Sequence, residues 1–203
     1  MPRPDTHKRF NKLLKVASRI LSTKGYDKTS LSDIASATGL TKPGLYYYVD
    51  SKEQLLFFIL DSYMNKLLEG IKGIKENVKD PKEFLLKAIE FQVNLYKSEP
   101  YVSKLIIHDE NCLSGRFFKV IKEKQREYIN YWKDAIIELR EQFNLNIDFP
   151  SVYTHILVGM CNWIYQWYNV KGKVKPEELA EKIYNLYFNG IMSQSNCREN
   201  KMD

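Results

Sequence analysis

The sequence has few of the residues that build disulfide frameworks, metal clusters or phosphate-binding loops. Its 203 residues include three cysteines, Cys112, Cys161 and Cys197, which are widely spaced and form no Cys-x-x-Cys pair. That pattern favours a reducing cytoplasm and predicts neither a disulfide framework nor a thiolate zinc site. The nine glycines form no Gly-x-Gly-x-x-Gly run, no P-loop and no Gly-x-Ser-x-Gly elbow, which disfavours enzymes built on those motifs.

Long apolar segments are also missing. The longest uninterrupted apolar run covers residues 55–60, whereas a helix needs roughly 20 apolar residues to cross a bilayer. The first five residues, Met-Pro-Arg-Pro-Asp, lack the apolar stretch of a secretory signal. We therefore expect a cytoplasmic protein that does not enter a membrane. The chain does have material for a sizeable core, since hydrophobic residues make up 44% of it and aromatic residues 13%.

Charge is distributed unevenly along the chain. Residues 1–52 hold 10 basic and 4 acidic side chains, and residues 53–203 hold 21 of each, so the whole formal excess of +6 lies in the first quarter. A basic terminal segment on a neutral remainder is typical of a surface that binds nucleic-acid phosphates. A solvated lysine-rich surface has the same charge count, so charge alone leaves both interpretations open.

Apolar residues recur at helical spacing throughout, and strand-like alternation is scarce. Capping signals mark several helix starts, including Ser30 and Ser51 with an acid or amide three residues on, and Asp80 before a proline. The fold class predicted is therefore all-α, with about nine helices. They are expected over about residues 6–24, 30–39, 41 onward, 51–70, 80–98, 101–108, 116–142, 150–168 and from 176.

One segment near the N-terminus has the spacing of a helix-turn-helix. In that motif a small residue, here Ala35, lets the second helix cross the first, and a glycine, here Gly39, adopts the left-handed backbone of the turn. Ile34, Leu40 and Leu45 then form the small core between the two helices. A plain helical hairpin shares this Ala-x-x-x-Gly spacing, but the basic surroundings and the caps favour a DNA-binding motif.

Between about Phe10 and Leu56 the sequence contains the motifs Gly25-Tyr26, Thr29-Ser30, Asp33-Ile34-Ala35, Gly39-Leu40-Thr41-Lys42, Gly44-Leu45-Tyr46-Tyr47-Tyr48 and Ser51-Lys52-Glu53. With these motifs the segment resembles the N-terminal DNA-binding domain of the TetR family of transcriptional regulators. Val49 departs from the aromatic residue usual in the family at that position.

The resemblance implies two roles for residues of this segment, because hydroxyls and lysines commonly hold DNA phosphates while groove-facing side chains read bases. Pro43 is included in the DNA-facing set, although the family more often has Gly, Ala or Ser at that position. The phosphate-holding residues implied are Ser30, Tyr46, Tyr48 and Lys52. The base-approaching residues implied are Thr41, Lys42, Gly44 and Tyr47.

A second informative stretch contains Gly159-Met-Cys-Asn162-Trp163-Ile-Tyr-Gln166-Trp167-Tyr168, Gly172, Pro176-Glu177-Glu178-Leu179-Ala180 and Gly190. With these residues it resembles the last two helices of TetR-type repressors of fatty-acid and steroid degradation, whose inducers are acyl-CoA thioesters. Any dimerising helix pair rich in aromatic residues would look similar. Bulky rings can leave an elongated apolar cavity, and basic side chains near its mouth could meet an anionic headgroup. The candidate effector-binding residues are Tyr96, His108, Phe117, Arg126, Tyr128, Trp132 and Trp163.

The helix expected over residues 150–168 carries two apolar stripes, which predicts burial on two sides. A single recognition helix covers few base pairs, so repressors gain selectivity from paired half-sites related by the protein's symmetry. We therefore predict a homodimer on a palindromic operator, joined through the last two helices. The candidate interface residues are Met160, Trp167, Leu179, Ile183 and Tyr187.

The sequence predicts two domains, a helix-turn-helix DNA-binding domain over residues 1–50 and a ligand-binding and dimerisation domain over residues 51–203. The predicted function is transcriptional repression relieved by an acyl-CoA or similar amphipathic molecule. Two alternatives stay open. One is a repressor that responds to another lipophilic effector, as multidrug-type regulators do, and the other is an enzyme or carrier that acts on an amphipathic small molecule. No cofactor or metal is predicted, because the possible ligands in residues 108–112 are adjacent and seldom converge on one ion.

Overall fold

The computed structural model describes residues 4–193, with side chains described from His7 onward. No strand occurs among these residues, which confirms the predicted all-α fold. None of the described helices is both long enough and apolar enough to cross a membrane. Cys197 lies outside the described residues. The helices are α1 (Pro4–Lys24), α2 (Leu31–Thr38), α3 (Lys42–Tyr46), α4 (Lys52–Asn77), α5 (Pro81–Ser98), α6 (Pro100–His108), α7 (Gly115–Phe143), α8 (Pro150–Trp167) and α9 (Pro176–Met192).

Side-chain caps form at the starts of α2 and α4, as the sequence predicts in full for the first and in part for the second. The Ser30 hydroxyl accepts from the Asp33 backbone N–H at 3.1 Å, and the Asp33 carboxylate accepts from the Ser30 backbone N–H at 2.9 Å, which forms the predicted capping box of α2. At the start of α4 half of the predicted box forms, since the Gln54 backbone N–H donates to the Ser51 hydroxyl at 3.0 Å. The Gln54 side chain instead accepts from the Asp50 backbone N–H at 2.6 Å. These bonds satisfy backbone N–H groups that lack a partner within the helix.

Several helix boundaries differ by one or two residues from the sequence prediction, and the end of α4 differs by more; the differences at α4 and α6 have identifiable causes. α4 runs on to Asn77, past Gly70, where the sequence predicts its end. Gly70 lies inside the helix, and a Cβ atom there would overlap the ring of Phe91 on α5. The glycine therefore permits close contact between α4 and α5 and does not end the helix. α6 begins at Pro100, one residue earlier than predicted, since proline fits the first turn of a helix.

One compact unit, unit 1, comprises the chain up to residue 66 together with residues 99–124. Within it α1 packs against α2 and α6. Phe57 on α4 stacks on Phe117 on α7, with 4.5 Å between the ring centroids. The buried apolar side chains of this unit include Leu13, Ala17, Leu21, Ile34, Leu45, Leu55, Leu56 and Leu60.

The other compact unit, unit 2, comprises residues 67–98 and the chain from residue 125 onward. Here α5 packs against α8 and α9. Trp132 and Phe84 are completely buried, and removing a large apolar side chain of this kind from water stabilises the fold by about 1.5–3 kcal/mol. The core of the unit also includes Leu85, Ile89, Val93, Ile136, Leu139, Leu157, Cys161 and Ile164.

Candidate nucleic-acid interface

A left-handed turn joins α2 to α3. Gly39 has a φ of 70°, and the backbone N–H of Leu40 donates to the Ala35 carbonyl at 2.9 Å. Ala35 is buried where α2 packs against α3, as the helix-turn-helix spacing predicts. Ile34 and Leu45 are also buried and Leu40 is half-buried, so the turn and its small core are those of a helix-turn-helix.

The helix α3 presents most of its side chains to solvent. Thr41 caps it, with the hydroxyl accepting from the Gly44 backbone N–H at 3.2 Å. Leu45 anchors the helix in the core, while Tyr47, directly after the helix, is 78% exposed. Tyrosine with that exposure is suited to an interface, because its ring is apolar and its hydroxyl is polar. Of the predicted DNA-facing residues on this segment, Gly44 and Tyr48 are half-buried, and Thr41, Lys42, Pro43, Tyr46 and Tyr47 are exposed.

A basic concavity of about 490 Å³ lies beside the start of α2, and we name it the first concavity. Ser30, Tyr46 and Lys52, three of the four residues predicted to hold phosphates, line it together. The Lys52 Nζ donates to the Tyr26 carbonyl at 2.8 Å and lies 4.2 Å from the centroid of the Tyr26 ring, so its charge is held in place. The cations that line this concavity are Lys28, Lys42 and Lys52.

Asp33 brings a negative charge to the same concavity. A hydrogen bond from Lys24 at 2.8 Å, together with hydrogen bonds from Ser30, lowers the pKa of the Asp33 carboxyl to about 2. The carboxylate therefore stays ionised at neutral pH and keeps its place in the α2 cap. Lys24 pairs with Asp33, so three lysines face this ion pair and a second acid of the lining, Asp27.

The interior of unit 2 contains three of the predicted effector-binding residues, Tyr96, Tyr128 and Trp132, all buried. The Tyr128 hydroxyl donates to the Gln92 side-chain carbonyl at 2.9 Å, and the Gln92 amide donates to the Asn162 side chain at 2.7 Å. Trp132 Nε1 is buried without a hydrogen-bond partner among the described residues. Leaving such a donor unsatisfied costs about 1–3 kcal/mol.

Gln92 is a functional candidate that sequence reasoning misses. It lies on α5 at helical spacing from Ala88, Ile89 and Tyr96, which are all buried. A single amide within an otherwise apolar stripe is the signal that could have identified it, since buried polar side chains need hydrogen-bond partners.

The four remaining predicted effector-binding residues are exposed or half-buried, unlike these three. His108 and Phe117 belong to unit 1, where His108 is exposed and Phe117 is half-buried against Phe57. Arg126 and Trp163 belong to unit 2, and both are exposed.

All five predicted interface residues belong to unit 2, and three of them are buried in its core. Leu179, Ile183 and Tyr187 on α9 are only 5%, 7% and 6% exposed, because this face of the helix is covered within the single chain. The Tyr187 hydroxyl donates to the Tyr153 carbonyl at 2.9 Å, and burial raises its pKa. These three side chains offer little surface to a partner in the single chain, and their role in an interface stays a prediction.

A different apolar surface faces solvent on α8, and we name it the α8 stripe. Its four large side chains lie at positions i, i+4, i+11 and i+15, which share one face of a helix, and each is 51–59% exposed. Met160 is half-buried on the same helix, and Leu186 on α9 is 71% exposed. The residues of the α8 stripe are Val152, Ile156, Trp163 and Trp167.

In the part of the chain that the structure describes, no three His, Cys, Asp or Glu side chains are grouped to hold a metal ion. Within residues 108–112, Glu110 pairs instead with Lys122 at 2.5 Å.

A helix-turn-helix whose second helix is exposed, capped at its start and flanked by lysines defines a DNA-binding regulator. Residues 13–58 match the tetR family of bacterial regulatory proteins, and residues 78–191 match the tetracyclin repressor-like C-terminal domain. The chain belongs to the TetR family and is a DNA-binding transcriptional repressor. Members of this family bind operator DNA and small-molecule effectors and are not enzymes, so the enzyme alternative is excluded.

Individual relatives cover nearly the whole chain. A TetR-family transcriptional regulator from Bordetella parapertussis 12822 is 30% identical, with a TM-score of 0.84 over 91% of this chain and 96% of that one. AibR, in complex with isovaleryl coenzyme A and operator DNA, is 27% identical, with a TM-score of 0.80 over 88% of this chain and 97% of its own. The transcriptional repressor KstR2 of Mycobacterium tuberculosis (strain ATCC 25618 / H37Rv) is 21% identical over 92% of this chain and 94% of its own.

Proposed function

We propose that an acyl-CoA, or a similar amphipathic molecule, binds this repressor and releases it from a palindromic operator. The observation that carries the proposal is the likeness to AibR, whose crystal structure holds both isovaleryl coenzyme A and operator DNA, at 27% identity across 88% of this chain. The resemblance of residues 159–190 to repressors of fatty-acid and steroid degradation supports the same class of effector.

The interior of unit 2 has chemistry that suits such an effector. Trp132 Nε1 is a buried donor without a partner in the described part of the chain, and the Trp132 ring lies edge-on to Tyr128 with 6.1 Å between centroids. Every thioester has a carbonyl oxygen that could accept from this N–H group and remove the cost of the unsatisfied donor. We therefore assign Trp132 as a hydrogen-bond donor to the effector, with Tyr96 and Tyr128 as aromatic neighbours.

Four further residues stay predictions for effector contact: His108, Phe117, Arg126 and Trp163. Of these, Arg126 has the chemistry to meet the phosphates of coenzyme A, since a guanidinium group bonds phosphate oxygens in pairs.

We also propose that the repressor is a homodimer whose interface contains the α8 stripe, Leu186 and Met160. Large contiguous apolar patches on a protein surface mark sites of association. A two-fold dimer would present two copies of α3 to two half-sites of the operator. This interface keeps the predicted role of Met160 and Trp167 and replaces the buried residues of α9 by exposed ones.

In this proposal residues 1–50 form the DNA-binding domain, and residues 51–203 bind the effector and form the dimer. The repressor acts where chromosomal DNA lies, in the cytoplasm. An effector releases DNA only if it binds the DNA-incompetent state of the dimer more tightly than the competent one. A difference of about 1.4 kcal/mol gives a tenfold loss of operator affinity, within the typical coupling of about 1–3 kcal/mol.

The test titrates acyl-CoAs of increasing chain length against a preformed complex of the protein with DNA from upstream of its own gene. We expect release by at least one acyl-CoA and no release by the matched free acid. Trp132→Phe keeps an aromatic ring and removes the donor, so we expect it to need roughly fivefold more acyl-CoA for release, with operator affinity unchanged.

Tyr131 is half-buried and directly precedes Trp132 on α7. Tyr131→Phe, which removes only its hydroxyl, is the matched control and should respond like the unmodified protein. If a lipophilic cation releases the DNA and no acyl-CoA does, the protein is a repressor that responds to another class of effector. An unchanged response of Trp132→Phe would remove the assigned donor.

A further inference from the structure

Gln92 on α5 is a buried amide that uses only part of its hydrogen-bonding capacity. Its side-chain carbonyl accepts from the Tyr128 hydroxyl at 2.9 Å, and its amide nitrogen donates to the Asn162 side-chain carbonyl at 2.7 Å. The amide nitrogen carries two hydrogens, and the described residues offer an acceptor to one of them. Gln92 is 7% exposed, so its second N–H group lies away from bulk water. The interior of unit 2 therefore contains a spare donor on Gln92 in addition to Trp132 Nε1.

Both spare donors border the same tyrosine. Gln92 bonds the hydroxyl of Tyr128, and the Trp132 ring lies edge-on to the Tyr128 ring with 6.1 Å between the centroids. Tyr128 and Trp132 are four residues apart on α7, so their side chains share one face of that helix. Gln92 reaches the same tyrosine from α5. The two donors are therefore neighbours in the interior of unit 2, joined through Tyr128.

The groups around Gln92 are apolar or neutral. Ala88, Ile89 and Val93 lie on the same helix and are completely buried. The two groups that bond the Gln92 side chain are a hydroxyl and an amide. An ionised ligand group placed here would lose its hydration without gaining a counter-charge from these groups, which is strongly unfavourable. The surroundings therefore favour a neutral ligand group over a carboxylate.

Both spare groups are N–H donors, so they require acceptors from a ligand. A carbonyl oxygen only accepts, whereas a hydroxyl group brings a hydrogen that itself needs an acceptor. A ligand with one carbonyl oxygen satisfies one of the two donors and leaves the other buried without a partner, which is unfavourable. A ligand with two carbonyl oxygens near each other matches the pair.

We propose that the spare N–H group of Gln92 donates to a carbonyl oxygen within the acyl group of the effector, and that the effector is therefore an oxoacyl thioester. Trp132 Nε1 then binds the thioester carbonyl, and Gln92 binds the oxo group. A saturated acyl chain leaves the Gln92 donor unsatisfied. The inference rests on the proposed response to acyl-CoA and names the acyl-CoAs that are preferred.

The test compares acyl-CoAs of equal chain length that differ only in the acyl group. The concentration that releases half of the operator DNA is measured for the saturated, 3-hydroxy, 3-oxo and 5-oxo compounds, and calorimetry measures their binding to the protein without DNA. We expect at least one oxoacyl-CoA to act at a roughly fivefold lower concentration than the saturated compound, because it satisfies one more buried donor. The 3-hydroxyacyl-CoA should be less effective than the preferred oxoacyl-CoA.

Variants of Gln92 test whether this residue sets the preference. Gln92→Met keeps the length of the side chain and removes the amide, so the preference for the oxo group should disappear or reverse, since that group then loses hydration without gaining a donor. The measured quantity is the ratio of the two release concentrations within one protein, so any change in operator affinity or stability cancels. Gln142→Met makes the same change at an exposed position on α7 and should keep the preference of the unmodified protein.

A double variant protects the test against loss of fold. Gln92→Met leaves the Tyr128 hydroxyl without its acceptor on Gln92, which lowers stability. Gln92→Met/Tyr128→Phe removes both partners of that hydrogen bond, and its melting temperature should lie closer to that of the unmodified protein. It should show the same loss of preference as the single variant.

The outcomes separate this inference from the proposed function. If acyl-CoAs release the DNA without preference for an oxo group, or if the preference persists in the Gln92 variants, the inference is wrong and the acyl-CoA response stands. A 3-hydroxyacyl-CoA that matches the best oxoacyl-CoA would overturn the choice of a carbonyl. An equal loss of response to saturated and oxo compounds in the Gln92 variants would assign the donor to the pantetheine amide that all acyl-CoAs share, and would overturn the oxoacyl assignment. If no acyl-CoA binds or releases DNA, the proposed function itself fails.

Discussion

The helix-turn-helix and the interior of unit 2 satisfy their polar groups in different ways. In the helix-turn-helix the caps and the turn join residues three to five positions apart, as in the capping box of Ser30 and Asp33. In unit 2 they come from distant parts of the chain, as with Gln92 and Asn162, and Trp132 Nε1 has no partner among the described residues. Local pairs can be found in a sequence by spacing alone, whereas distant pairs depend on which helix faces meet.

The largest effects are expected when a charge is placed on the buried face of α9 or on the exposed face of α8. Ile183→Asp buries a charge inside one chain, so we expect the free energy of unfolding to fall by about 4 kcal/mol or more. Ile156→Asp lies on the α8 stripe and should leave the monomer folded. In a two-fold interface it would bring like charges together, and the dimer dissociation constant should rise on the order of 100-fold. Urea unfolding and sedimentation velocity measure the two effects.

Gln142→Glu adds the same charge at an exposed position on α7 and should change neither stability nor assembly. An Ile183→Asp protein that stays folded and only loses its partner would reverse the assignment of the two faces. So would an Ile156→Asp protein that unfolds.

A smaller effect tests whether the turn of the helix-turn-helix depends on local backbone chemistry. Gly39→Ala places a Cβ atom at a φ of 70°, which costs about 1–2 kcal/mol, so the melting temperature and the affinity for all DNA should fall. Gly73→Ala is the matched control, because Gly73 lies in α4 with open space around its Cβ position. It should raise stability by about 0.5–1 kcal/mol. If Gly39→Ala also stabilises, the turn does not require a left-handed residue.

The smallest effect is a pH dependence at the α2 cap. The pKa of Asp33 is lowered to about 2 in the folded protein, so the ionised carboxylate stabilises the fold at neutral pH. That contribution is complete above the unfolded pKa of about 3.9 and is lost as the pH falls through about 2. The difference in melting temperature between the unmodified protein and Asp33→Asn should therefore be constant down to about pH 5 and close as the pH approaches 2.

Lys24→Met checks the cause of this shift, since the hydrogen bond from Lys24 is its largest contribution. Without that bond the pKa of Asp33 should lie nearer its unfolded value. In the Lys24→Met background the effect of Asp33→Asn on the melting temperature should therefore be smaller, and it should finish closing at a higher pH. If the melting-temperature difference caused by Asp33→Asn has the same size and disappears at the same pH with and without Lys24, the Lys24–Asp33 pair does not set the pKa of Asp33.

These contrasts explain which parts of the molecule the sequence predicts. The turn at Gly39 and the capping box at Ser30 follow from residues close together in the chain, and both are confirmed. Gly70 looks like a helix end in the sequence, but its role is set by the ring of Phe91 on another helix. The apolar residues of α9 surround much of the helix, so their spacing does not determine that Ile183 is covered and Leu186 is exposed.

The three tryptophans divide between these two environments, which gives the protein an optical property of its own. Trp132 is sealed inside unit 2, while Trp163 and Trp167 on α8 are 59% and 58% exposed in the single chain. Indole emits at longer wavelength in water than in an apolar interior. The emission wavelength of the two tryptophans on α8 therefore shows whether that surface is exposed to water or covered by a partner. The emission of Trp132 shows whether the interior of unit 2 stays closed to water, and neither measurement needs an added label.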